Sequence, residues 1–177
     1  MSANGHSNHL VTSLDELKRI YGEPGGGSIA KETDRITAHY RALIESAPFF
    51  ALASAGDGGL DCSPRGDAPG FVRVHDEKTL LIPDRRGNNR IDTLRNIVRD
   101  PRVSLCVMSD TFFGPWVQIE GTATLTSLPE AMEGLVDYYR RVAGEHPNWD
   151  EYRQAMEKEQ RVLVRVTIER AGPNRSG

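Results

Sequence analysis

The chain is poor in the residues that would settle its chemistry at once. Of its 177 residues only two are cysteine, Cys62 and Cys106, far apart and in strand-like surroundings. That separation makes neither a metal-ligand spacing nor a disulfide framework, so buried, reduced thiols are the expectation. Its five histidines, His6, His9, His39, His75 and His146, form no H-x-x-x-H pair and join no cysteine, so no metal site is expected. No apolar run approaches the length of a membrane span, and MSANGHSNHL lacks the basic-then-apolar order of a secretion signal. The expectations are no membrane partner and a cytoplasmic location. Positive charge is not in excess either: the net charge is −3, which argues against a nucleic-acid partner and its broad basic face. Ser54 and Ser63 lack a nucleophile elbow, so acyl transfer is unsupported. The glycine run GEPGGGS ends in no G-K-[ST] and follows no strand, which makes it a flexible connector rather than a phosphate loop.

Against that background residues 80–107, LLIPDRRGNNRIDTLRNIVRDPRVSLCV, stand out. They read as strand, polar turn, short helix, turn and strand. Between residues 83 and 102 six arginines face three aspartates, a local +3 in an acidic chain, and every cation there is arginine. Asn88, Asn89 and Arg90 stand where the helix should begin. Backbone donors at a helix start, together with guanidinium groups, suit a small multivalent anion such as phosphate. Arg85 and Arg90 are the arginines expected to bind it. Arg95 and Arg99, one helical turn apart, are expected on the surface beside Asp92 and Asp100.

The length fits one well-cored domain. It is expected over residues 29–170, after a tail and short helix in 1–28 and before a tail in 171–177. Ser13 and Glu16 form a capping box for a helix to Tyr21, and helical spacing over residues 29–46 predicts an amphipathic helix ended by Pro48. Short β-rich runs follow at 49–55, 60–64, 71–74 and 79–83, then a helix over 88–98 and strands over 103–108 and 116–126, with Gly121 allowing a bend or bulge. A helix over 128–143 entered through Pro129, another opened by Pro147, and the alternating strand 161–170 complete the chain. Helices at the ends and crossovers of antiparallel strands indicate a small barrel, mainly β. Trp149, Tyr152 and Met156 at helical spacing are expected as core or dimer contacts.

The blocks SPRGD, PDRRGNNR and LRNIVRDPRVSL, in the order in which they occur with FFALASAGDGG and WVQIEGTATL, resemble the flavin-binding split barrels related to pyridoxamine-phosphate oxidase. The likeness runs from about Leu10 to Leu128. It implies a six-stranded antiparallel split barrel, a homodimer, and flavin mononucleotide (FMN) bound at the interface. It further implies an oxidoreductase acting on an unknown small-molecule substrate. Pro83, Asp84 and Arg85 would lie along the flavin ring and ribityl chain. Asn88, Asn89 and Arg90 would hold the phosphate, Arg65 would supply a second guanidinium, and Trp116 and Gln118 would reach the cofactor from the partner subunit. The apolar surroundings of the ring would borrow Phe112, Phe113 or Trp116 from that subunit. Asp84 and Asp67 are expected to make structural bonds rather than act as bases, since the flavin carries the redox chemistry itself. The C-terminal third instead resembles split-barrel proteins that use a deazaflavin cofactor. That keeps a deazaflavin-dependent reductase open, beside a non-catalytic flavin or haem carrier. The catalytic residues remain unassigned.

Overall fold

The computed structural model describes residues 10–84, 90–111 and 113–175. In chain order it contains α1 (Leu14–Tyr21), α2 (Gly26–Ile29), α3 (Ala38–Ser46), β1 (Phe49–Gly56), β2 (Gly59–Gly66), β3 (Arg73–Asp76), β4 (Thr79–Pro83), α4 (Asp92–Arg99), β5 (Arg102–Met108), β6 (Trp116–Thr126), α5 (Met132–Ala143), α6 (Trp149–Glu159) and β7 (Leu163–Arg175). The strands form one antiparallel sheet of order β2-β1-β5-β6-β7-β4-β3. Its edges, β2 and β3, do not pair with each other, which leaves the barrel split.

Among the described residues the sheet has seven strands, one more than the six expected. The C-terminal strand is no appendage: β7 lies between β6 and β4 and continues past residue 170, where Asn174 pairs with Val117. Without it β4 and β3 would have no attachment to the rest of the sheet. A simple meander is also ruled out, because β1 pairs with β5 and β4 with β7.

Alternation makes the core. Phe50 and Leu52 of β1, Val103, Leu105 and Val107 of β5, and Val117 and Ile119 of β6 point inward with Val164, Val166 and Ile168 of β7. Tyr40, Leu43 and Ile44 of α3 complete this cluster. A second cluster joins Leu135 and Val136 of α5 to Tyr152 and Met156 of α6 and to Leu163 of β7. Tyr152 donates to the Leu135 carbonyl at 2.8 Å, and burial raises the pKa of its phenol. Trp149 stands beside it in an edge-on aromatic group.

Several boundaries move for local reasons. Ser13 caps α1 as expected, accepting from Glu16 N at 3.2 Å, and a short helical turn, α2, interrupts the glycine connector. The third helix begins only at Ala38, because Thr33 bridges to Ala171 and Thr37 takes the N-cap position, accepting from Tyr40 N at 3.2 Å. Pro129 lies in the turn before α5 rather than inside its first helical turn. Gly121 coincides with a register shift, where Glu120 pairs with Arg170 but Gly121 with Ile168.

Candidate functional site

Inward-facing positions of β2 are polar. Asp61, Ser63 and Arg65 stand cross-strand from Ser54, Leu52 and Phe50. The α4 helix covers them. Thr93, 2% exposed, donates to Asp61 Oδ2 at 2.9 Å and lies 3.1 Å from the Ser63 hydroxyl. Ser63 donates to the same carboxylate oxygen at 3.1 Å, and Asn96 Nδ2 donates to Ser54 Oγ at 3.0 Å. Gly56 permits this docking, since a Cβ there would overlap the Asn96 amide oxygen. Polar bonds, with Ile97 buried in the core, fix the position of α4 on the β1–β2 hairpin.

α4 begins without a side-chain cap, Ile91 occupying the N-cap position. Its first-turn N–H groups carry the partial positive charge of the helix, with Arg90 immediately before them. Arg90 is 77% exposed and its Nε donates to Asp92 Oδ2 at 2.7 Å.

Asp84 follows Pro83, the buried last residue of β4, and all three of its polar groups are engaged. Its amide donates to the Val162 carbonyl at 3.1 Å. Its Oδ1 accepts from Arg65 Nη1 at 2.8 Å, in a pair whose side chains are 23% and 18% exposed. Its carbonyl accepts from Arg161 Nε at 2.7 Å and from Arg161 Nη2 as well. These bonds tie Asp84 to β2 and to the turn before β7. Asp67 is similar, accepting from Ala68 N at 2.8 Å and from the Tyr138 hydroxyl.

Of the residues expected at a cofactor site, Arg65, Pro83 and Asp84 are brought together. Arg90 precedes α4. Arg85, Asn88 and Asn89 lie outside the described residues, as does Phe112. Trp116 and Gln118 belong to the opposite face of the sheet, in cross-strand rows with Met108 and Cys106. Gln118 Nε2 donates to Glu120 Oε1 at 2.6 Å, and Glu120 in turn accepts from Arg170 at 2.5 Å. One chain therefore does not bring these two side chains to Arg65 and Asp84.

That outer face is little covered. Leu60 is 92% exposed, Phe49 is exposed, and Ala51, Ala53, Met108 and Trp116 are half-buried. The cysteines are here too, free and on either side of β1, with Cys62 exposed rather than buried. Burial pushes the Cys106 thiol up, with a smaller effect from Cys62.

Two arginines of the segment pair with carboxylates: Arg99 with Asp57 at 2.6 Å, rather than with Asp100, and Arg102 with Asp100 at 2.5 Å. Hydrogen bonds from Arg102 bring the Asp100 carboxyl down to about 2. The residue missed by sequence reading is Arg161, in the turn between α6 and β7 and 12% exposed. It resembles the other arginines of its alternating run, and no local pattern marks it. It also lines a cavity of about 410 Å³ with Leu128, Pro129, Met132 and Glu157. Among the described residues no three His, Cys, Asp or Glu side chains gather as a metal would require, and no helix is long and apolar enough to cross a membrane.

Solved structures share this fold. A conserved hypothetical protein of Mycobacterium tuberculosis superposes with a TM-score of 0.58 at 24% identity, over 78% of this chain and 85% of the other. A NimC/NimA family protein of Clostridium acetobutylicum gives 0.52 at 17%, over 80% and 89%. A protein named F420 reductase gives 0.53 at 17%, over 79% and 98%. The sequence profile described as "Pyridoxamine 5'-phosphate oxidase" matches residues 36–174, which takes in α3, β1 to β6, all of β7 but its last residue, and the Arg65–Asp84 pair. With its split antiparallel barrel and that match over most of its length, the chain belongs to the pyridoxamine 5'-phosphate oxidase family.

Proposed function

We propose that the protein is a cytoplasmic, homodimeric oxidoreductase that binds FMN and acts on a small molecule. The observations that carry this reading are the uncapped start of α4 with Arg90 before it and the Arg65–Asp84 pair at the end of β4, in a chain of this family. A phosphate fits chemically: first-turn N–H groups and the Arg90 guanidinium are donors, and Asp84 engages Arg65 through one nitrogen of its fork. In this reading Arg90, with Arg85, Asn88 and Asn89, holds the phosphate, while Pro83 and Asp84 border the ring. The bound flavin would supply two-electron transfer, and the protein would orient it and exclude water.

The test is an FMN titration followed by fluorescence, together with the mass of whatever co-purifies. Binding with one FMN per chain is expected, and a chain that ignores FMN sinks the reading. Arg90→Ala should weaken FMN by about 2 kcal/mol, about 30-fold, as for loss of a charge-assisted phosphate bond. An unchanged affinity would place the phosphate elsewhere. A deazaflavin is the second reading, favoured by the C-terminal resemblance and by the likeness to the protein named F420 reductase. It predicts tight binding of that cofactor and indifference to FMN.

The little-covered outer face of the sheet supports the dimer, since a contiguous apolar surface of this kind favours a partner. A second copy would also bring Trp116 and Gln118 to the cofactor of its neighbour. Ala53→Glu places a charge in the middle of that face without touching the core. Sedimentation should show monomer with the thermal midpoint of an isolated barrel, and a persistent dimer would remove this face from consideration.

A further inference from the structure

Arg161 is joined to the candidate site through backbone, and this is where its position becomes informative. Its guanidinium puts both Nε and Nη2 on one carbonyl, that of Asp84, and its Nη1 lies 3.3 Å from Glu159 Oε2. The side chain is 12% exposed, so it is ordered by its surroundings rather than solvated. The next residue along, Val162, accepts from the Asp84 amide at 3.1 Å. One dipeptide, Arg161–Val162, therefore holds both backbone polar groups of Asp84, while Arg65 holds its carboxylate. Three elements converge on this residue: β2, β4, and the turn that carries the chain from α6 into β7.

Strand pairing ends at Pro83, opposite Leu163. Beyond a last strand residue the backbone is ordinarily free to splay, because its carbonyl has no ladder partner. Two donors from one guanidinium remove that freedom, with a fixed fork geometry that a lysine lacks. We propose that Arg161 is a positioning residue, which fixes the end of β4 at Asp84 and so holds the Arg65–Asp84 pair of the candidate site in place. Its bearing on cofactor affinity rests on the phosphate reading above. The turn between α6 and β7 thereby acts on the Arg65–Asp84 pair through the backbone of Asp84.

The test uses the full chain without ligand and then with FMN, in Arg161→Met and Arg161→Lys variants. Amide exchange followed by NMR should show the Asp84 amide of Arg161→Met exchanging about tenfold faster, while amides in the middle of β4 stay within about twofold. The FMN dissociation constant should rise about tenfold, as for loss of a charged-group hydrogen bond at one remove. Arg161→Lys should recover part of both changes. If the middle of β4 accelerates together with Asp84, Arg161 merely supports the fold and the proposal falls. It also falls if Asp84 exchange is unchanged, or if exchange rises with no loss of FMN affinity. A wild-type chain that binds no FMN would overturn the flavin reading, and the positioning role would then stand or fall on the exchange data alone.

Discussion

Gly121→Val should abolish the folded state at room temperature, a loss of more than about 4 kcal/mol. Gly121 is in β6, at a register shift in its pairing with β7. A Cβ at this position would overlap the Thr167 carbonyl oxygen and stand 3.0 Å from its carbon and 3.2 Å from the Ile168 Cα. These are backbone atoms of a paired strand and cannot rotate aside. Relief would need the β6–β7 ladder to separate, and β7 is the strand that joins β4 and β3 to the rest of the sheet. The damage is therefore topological as well as local. Circular dichroism during urea denaturation checks it: no cooperative transition is expected for the valine variant. A wild-type midpoint would show that the two backbones need not approach so closely.

Phe50→Ala should cost about 3–5 kcal/mol, the range for truncating a buried aromatic in a packed core. Phe50 is fully buried on β1, with Arg65 opposite it on β2 and Val107 on β5. Its ring stacks on Phe71, with centroids 5.6 Å apart and planes inclined by 18°. Truncation leaves a cavity between two backbones that cannot close without breaking strand pairs, so relaxation recovers little. Phe50→Leu keeps most of the volume and should cost roughly 1–2 kcal/mol. Denaturation midpoints at constant slope measure both, and equal losses for the two variants would contradict a packing origin.

How far these features were legible depended on whether their cause is local. The capping box at Ser13 and Glu16 was readable because donor and acceptor lie three residues apart. The inward faces of β5, β6 and β7 were readable from alternation, since a pleated strand sends successive side chains to opposite sides. Gly121 was readable as a break in a long strand, and the register shift is there. The start of α3 was not readable: apolar spacing ran on through Ile36, but Thr33 pairs with Ala171, 138 residues later. The exposure of Cys62 was not readable either, because strand-like surroundings do not say whether a sheet face is covered.

At the candidate site the same division holds. The arginine-rich segment between β4 and α4, its helix and the family likeness of the SPRGD and PDRRGNNR blocks were determined by the sequence alone, because order and spacing along the chain are all they need. Tertiary structure decided which of those charges meet. Arg65 reaches Asp84 across 19 positions and Arg161 reaches it across 77, while Trp116 and Gln118 fall on the other side of the sheet. Such contacts arise from the closure of β7 against β4, a pairing of distant segments on which local propensity has no bearing. An arginine on an alternating strand looks alike whether it faces water or a carbonyl, and only the packing of the other strands tells the two apart.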